Sequence, residues 1–280
     1  MTGICGIWHF DGAPGAGEDC ARMQAALAIY GRDRSDRRDL GSIALGIQLA
    51  RLLPEDRSDR QPLTGAGGRL VLVADACIDN RRELALALGL GPERTVGMCD
   101  ADYILAAWEG WGEDALERLK GRFAFALWDD QARILRLVRD PLGQRPLFVH
   151  RGPRRLCFAS MAKGLHALPD VPRAPDAERV RDHLALLPHV GARSFFAGID
   201  RLEPGGMLRI HADGRADAIA WYDRTRDRSP RFNRWAEYVD AFRDLFDRAV
   251  ADALRTDDGL ACHLSAGRDS RLVTVTAATQ

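Results

Sequence analysis

The chain has 280 residues, 40 Lys and Arg against 40 Asp and Glu, a formal net charge of zero and 46% hydrophobic composition. That composition excludes global disorder, and no apolar run approaches the roughly 20 residues a membrane helix needs. Only Lys120 and Lys163 are lysines, so the basic residues are almost all Arg, but Asp interleaves with them (residues 31–39 and 56–60) and argues against nucleic-acid binding. The N-terminus has no basic stretch before an apolar one, which points to a cytoplasmic protein. The six cysteines form no C-x-x-C pair, so neither a disulfide framework nor a metal centre is expected from them.

Residues 3–10 read as a strand, and residues 19–30 as a helix with Met23, Ala26, Leu27 and Tyr30 on one face. Ile43, Leu45, Ile47 and Leu49 alternate with small or polar residues as in a half-buried strand. Residues 69–74 read as a more buried strand, and 80–88 and 100–111 as helices. A dense strand region follows at 123–129, 134–138, 146–149 and 156–159, with turns at Asp129-Asp130-Gln131 and Asp140-Pro141-Leu142-Gly143. Residues 169–234 are less regular, apart from a short strand at 207–211 and a hairpin turn at Asp213-Gly214. Strands, helices and strands again with tight turns indicate an α+β fold. Residues 223–236 are charged and contain Pro230, the composition of a linker. After them, residues 237–254 carry apolar side chains at helical spacing. Residues 260–264 read as a buried strand, and 271–279 as the start of a helix.

Between that last strand and helix lies Leu264-Ser265-Ala266-Gly267-Arg268-Asp269-Ser270. Strand, small-residue loop and helix is an arrangement that presents backbone N–H groups to a phosphate. Its last six residues, 265–270, are equally a Ser/Gly turn in which Ser270 caps a helix. The heptapeptide resembles the Leu-Ser-Gly-Gly-x-Asp-Ser pyrophosphate loop of ATP pyrophosphatases, and specifically of asparagine synthetase B, with Ala266 in place of a Gly. Three further blocks resemble the same family in the same order: Leu119-Lys120-Gly121-Arg122-Phe123-Ala124-Phe125-Ala126-Leu127-Trp128-Asp129, Arg139-Asp140-Pro141-Leu142-Gly143-Gln144-Arg145-Pro146-Leu147 and Phe158-Ala159-Ser160-Met161-Ala162-Lys163. On physical grounds these blocks are hairpins and core: Phe123, Phe125 and Leu127 share a face, and Gly143 serves a turn.

The resemblance implies an N-terminal-nucleophile, class II glutamine amidotransferase αββα sandwich over residues 1–222. A linker at 223–236 would follow, and then the beginning of an α/β ATP-pyrophosphatase domain at 237–280. It implies ATP as cofactor at Leu264, Ser265, Ala266, Gly267, Asp269 and Ser270, and Mg²⁺ on Asp269. It implies a small-molecule or peptide carboxylate as substrate, adenylated and converted to an amide. The short length then suggests a truncated or split synthetase, with a separately encoded half as partner.

The family opens Met-Cys-Gly-Ile-x-Gly-Ile, and its Cys carries both the nucleophile and the α-amine base. The corresponding run here is Met1-Thr2-Gly3-Ile4-Cys5-Gly6-Ile7. Its two Gly-Ile pairs place Thr2 at the nucleophile position; Cys5 would need a four-residue propeptide. Arg51 falls where the family clamps the glutamine α-carboxylate, and Asp100 where it grips the α-amine. The family's oxyanion-hole Asn-Gly aligns with Asp75 and Ala76, and a carboxylate accepts hydrogen bonds rather than donating them. The sequence therefore predicts a degenerate glutaminase. Such domains resemble those of relatives that need no ammonia, the lasso-peptide cyclases and β-lactam synthetases. A non-catalytic partner module and a Thr2-dependent glutamine hydrolase are the competing readings.

Overall fold

A computed structural model describes every residue except 224, 226–229, 257 and 258. It divides into two units, residues 1–51 with 58–223, and residues 52–57 with 224–280.

The first unit begins with β1 (Gly3–His9), α1 (Ala16–Leu27), β2 (Arg34–Asp39), β3 (Ile43–Leu49), β4 (Leu63–Gly65) and β5 (Leu70–Ile78). Three helices follow, α2 (Arg81–Ala87), α3 (Pro92–Thr95) and α4 (Asp100–Trp111). Next come β6 (Gly121–Asp129), β7 (Ile134–Arg139), β8 (Phe148–Arg151) and β9 (Arg155–Ala159). The unit closes with α5 (Ala162–Leu165), α6 (Ala177–Leu184), β10 (Asp200–Arg201), β11 (Gly206–Ile210) and β12 (Ala216–Ala220). Two six-stranded antiparallel sheets result, in the orders β10-β8-β9-β1-β3-β2 and β12-β11-β7-β6-β5-β4.

Strand alternation builds four layers from these sheets. In β6, Ala124, Ala126 and Trp128 point between the sheets, where they meet Ile4 and Trp8 of β1 and Ile43, Leu45 and Ile47 of β3. Trp8 and Trp128 touch edge to face at 4.8 Å across this layer. Phe123, Phe125 and Leu127 point the other way, onto Tyr103, Ile104 and Trp108 of α4. On the opposite side, Cys5 and Ile7 of β1 pack under Cys20, Met23 and Leu27 of α1. Each central strand is thus buried on both faces, which is why β5 and β6 read as nearly continuous apolar runs. The layering is helix, sheet, sheet, helix: the αββα sandwich within an α+β fold.

Among the elements not legible as strand or helix are β2, β12 and α6. β2 has the sequence Arg34-Ser35-Asp36-Arg37-Arg38-Asp39 and is mostly exposed. It is the edge of its sheet, pairing only β3, so neither of its faces supplies an apolar alternation. β12, at the edge of the other sheet, and α6 both fall in the stretch expected to be irregular.

In the second unit, α7 (Trp235–Ala253) and α8 (Arg268–Ala278) form. The strand expected at 260–264 does not. Those residues are irregular and exposed, and among the described residues no strand lies beside them to share a ladder. The expected α/β start is therefore two helices joined by an irregular segment. The linker expected at 223–236 falls partly outside the described residues, and α7 starts at Trp235. α8 starts at Arg268, which puts Asp269 and Ser270 in its first turn rather than in the preceding loop.

Candidate active site

Two elements of the sandwich bring the candidate residues together. Asp75 shares the parity of Val71 and Val73 on β5, so its carboxylate turns into the layer between the sheets. Thr2 immediately precedes β1 in the facing sheet. Both are buried, Asp75 at 3% and Thr2 at 7% exposure. The Thr2 backbone N–H donates to Asp75 Oδ1 at 3.3 Å. The Thr2 hydroxyl lies against Ala50: it accepts from the Ala50 N–H at 3.1 Å and faces the Ala50 carbonyl oxygen at 3.4 Å.

A third side chain enters from a block that reads in sequence as hairpin and core. Arg145 Nε stands 3.6 Å from Asp75 Oδ1. The loop between β7 and β8 aims it there. Asp140, fully buried, accepts backbone N–H groups from Leu142 (3.0 Å), Gln144 (3.0 Å), Arg145 (3.1 Å) and Phe123 (3.3 Å). Arg139 donates back to the carbonyls of Arg145 (2.7 Å) and Leu202 (2.6 Å). Gly143 takes φ +63°, a conformation that favours glycine. The Arg-Asp-x-x-Gly-x-Arg block is therefore a clamp whose last residue meets Asp75. The signal was present in the sequence as two matched blocks, but pairing them needs the sheet register.

The remaining expected residues are distributed around this centre. Arg51 follows Ala50; its backbone N–H donates to Asp33 at 2.7 Å and its side chain is exposed. The neighbouring Gly31 lies so close to β3 that a Cβ there would stand 2.0 Å from the Gln48 carbonyl oxygen. Ala76, one residue beyond Asp75, points to the other face of β5 and is half-buried. Asp100 is buried at the first turn of α4, accepts the Ile78 N–H at 3.0 Å and pairs with Arg81 Nε at 3.5 Å. A ligand ammonium approaching Asp100 therefore meets a guanidinium already seated beside it.

Chemically, the centre offers a hydroxyl held by backbone groups, a nitrogen beside a carboxylate, and an Asp–Arg pair. That nitrogen is the Thr2 backbone amide, which donates to the carboxylate and is not itself basic. An anion forming near Thr2 would face Asp75, whose charge opposes it.

Residues 1–222 match the family model described as a glutamine amidotransferase domain. The chain belongs to this family. It is 36% identical over 186 residues to a putative glutamine-hydrolysing asparagine synthetase of Mycobacterium bovis, covering 62% of this chain and 28% of that protein. It is 28% identical over 286 residues to glutamine-hydrolysing asparagine synthetase 2 of Bacillus subtilis, covering 98% of this chain and 38% of that protein. The chain thus spans roughly a third of the length of these curated relatives. Among solved structures, the glutamine phosphoribosylpyrophosphate amidotransferase of B. subtilis shares the fold with a TM-score of 0.58 at 15% identity, over 79% of this chain and 49% of that one. The glutamine amidotransferase domain here is accordingly of the kind found in an amide-forming ligase family.

The second unit carries the phosphate-loop resemblance. Ser265 donates its N–H to Ser270 Oγ at 3.1 Å, Gly267 donates its N–H to Ser265 Oγ at 3.2 Å, and the two hydroxyls meet at 2.9 Å. Two of the loop's N–H groups are thus spent on its own hydroxyls, and Leu264, Ala266 and Asp269 are exposed around them. Gly267 adopts φ −68° and ψ 159°, an ordinary extended conformation. Among the described residues no group of three or more His, Cys, Asp or Glu side chains could hold a metal ion. The loop in this form does not fit a triphosphate with its cation, and no chemical step is assigned to it. Among the described residues no helix is long and apolar enough to cross a membrane.

Proposed function

We propose that the chain is a glutamine-amidotransferase-type domain that has lost glutamine hydrolysis and serves an amide-forming ligase as a scaffold. The observation that supports this is the Asp75 carboxylate, which aligns with the family's oxyanion-hole Asn and lies 3.3 Å from the Thr2 nitrogen and 3.6 Å from Arg145. With Met1 removed, Thr2 would hold the α-amine that acts as base, ordinarily titrating at about 7.7–8.0. The Asp75 carboxylate beside it would then be its ion-pair partner rather than a hydrogen-bond donor to an oxyanion. The Thr2 hydroxyl, a weaker nucleophile than a thiol, is held by the Ala50 backbone. Removing a single oxyanion donor typically costs about 10²–10³ in rate, and here a donor is replaced by an acceptor. The amine that forms the amide would then come from the ligase's own substrate rather than from ammonia. ATP, Mg²⁺ and a small-molecule or peptide carboxylate belong to that ligase reaction in this proposal. The test is ammonia release from glutamine by the purified protein. No turnover above the uncatalysed background is expected, and steady turnover that Thr2→Ala abolishes would overturn the reading.

A further inference from the structure

At one end of the sandwich the two sheets are unequal. The first ends on β10, two residues long, and the second on the five-residue strand β12. We propose that the space between these edges binds a small molecule in which an ammonium group is attached to an apolar body. The space is a cavity of about 460 Å³, a size that suits such a ligand. Val149 of β8, Leu156 of β9 and Leu202 line it from the first sheet, and Leu208 of β11 from the second. All four belong to the apolar layer between the sheets. The register explains why the layer is unfilled here. Leu208 pairs with Ala218, and Ile210 with Ala216. Ala216, Ala218 and Ala220 therefore turn to the inner face of β12, and all three line the cavity. Ile219 turns the other way, onto the core beneath α4. Three methyl groups opposite a two-residue edge strand leave the space open.

The head group follows from the charges at the mouth. Asp200 lies directly opposite Val149 in the ladder of β10 and β8, so it shares the inner face and lines the cavity. It is exposed and has no ion pair or side-chain hydrogen bond among the described residues. The cations around it are engaged or aimed elsewhere. Arg201 lies opposite Phe148, which packs on the outer side of the sheet with the core beneath α1. Arg193, bridged to Asp200 through the backbone, gives its side chain to Asp176 and Glu178. Arg151, on the face of Val149, donates Nη2 to the Gly214 carbonyl of the β11–β12 turn. Glu203 adds a second carboxylate to the lining. An ammonium at the mouth complements these acids, and an anionic head group meets their repulsion. An exposed ion pair contributes modestly. Burial of the apolar body therefore carries the affinity, and the carboxylates select the head group.

The experiment is a calorimetric titration of the whole chain with three probes that share one apolar body: phenethylamine, phenylalanine and 3-phenylpropionate. Saturable binding of phenethylamine is expected, with 3-phenylpropionate at least fivefold weaker. Phenylalanine binding as tightly as phenethylamine assigns an amino acid as the ligand, and weaker binding assigns a simple amine. Ala218→Leu, which fills the cavity, should weaken phenethylamine tenfold or more and leave the thermal midpoint of the free protein at or above that of the parent. Asp200→Asn should weaken it about threefold to fivefold and narrow the gap to 3-phenylpropionate. Glu93→Gln, an exposed acid on α3, should change neither. Should Ala218→Leu fail to fold, Asp200→Asn at its exposed position carries the decision. The proposal is overturned by an absence of saturable phenethylamine binding, by 3-phenylpropionate binding as tightly, by full affinity in Asp200→Asn, or by an equal loss in Glu93→Gln. None of these readouts involves Thr2, so they are separate from the loss of glutaminase activity.

Discussion

Trp128 and Trp235 mark two ways in which this chain treats apolar residues. Trp128 has no exposed surface and sits between the two sheets against Trp8, whereas Trp235 is 80% exposed at the start of α7. The contrast extends to whole elements. Every apolar residue of β6 is buried, while Trp235, Tyr238, Phe242 and Leu245 of α7 are all exposed, with only Val250 buried. Both segments have the periodicity their secondary structure demands. The difference lies in the partner: β6 is matched by a helix on one face and a sheet on the other, and α7 shows its apolar stripe to solvent in the structure described. Periodicity therefore identifies an element, but burial measures whether a complementary surface has been supplied.

The sharpest way to break this comparison is to truncate an aromatic in each region. Phe125→Ala should cost about 3–5 kcal/mol of sandwich stability, the usual range for a buried Phe whose site can relax only partly. Phe242→Ala, at 58% exposure, should stay within about 0.5 kcal/mol. Urea unfolding followed by the buried tryptophans measures both, and comparable losses would show that α7 is packed in solution. Next in size is Asp140→Ala. It strands three backbone N–H groups of the clamp loop and that of Phe123 in β6, and each unsatisfied buried donor costs about 1–3 kcal/mol before relaxation. With relaxation, a net loss of about 2–4 kcal/mol is expected, and the Arg145 side chain should lose its aim at Asp75. Retention of parent stability by Asp140→Ala would remove the clamp from the account of the site.

These expectations also show which parts of the molecule could be read from its sequence. Alternation in β6 and the turn residues at Asp140 and Gly143 were legible because a two-residue period and a positive φ leave local marks. Thr2 and Asp75 were legible as aligned positions, but Arg145 was not, since its role depends on β7, β5 and β1 being brought into one register. β2 left no mark because an edge strand with charged side chains satisfies its backbone on one side and needs no core face. The strand expected at 260–264 failed for the converse reason: an apolar run names a strand only when a neighbouring strand takes its hydrogen bonds. The alanines of β12 were likewise silent, because small residues on one strand face mark an open space only once the facing edge strand is known to be short.

The smallest expected effect separates the two regions by pH. Glu113 bridges the second sheet from below, accepting from Arg136 Nε of β7 at 2.9 Å and from Arg209 of β11. Burial pushes its carboxyl up, but the two guanidiniums outweigh burial and hold it below its ordinary value. A carboxylate depressed in the folded state adds stability above its unfolded pKa, about 4.3, and loses it as the pH falls through the lower folded value. With its side chain 34% exposed, solvent screens the pair, so Glu113→Gln should cost about 1 kcal/mol near neutral pH. That difference should shrink steadily below about pH 4.3, where the unfolded chain takes up the proton, and vanish below the lower folded value. Glu237 of α7, in the other unit, is held down in the same way by Arg234, whose own side chain is 77% exposed. Glu237→Gln should therefore leave the sandwich transition where it is at every pH. Urea midpoints of the two variants and the parent between pH 3 and pH 7 test the pair together. A cost for Glu113→Gln that stays constant as the pH falls would assign its effect to packing rather than to charge.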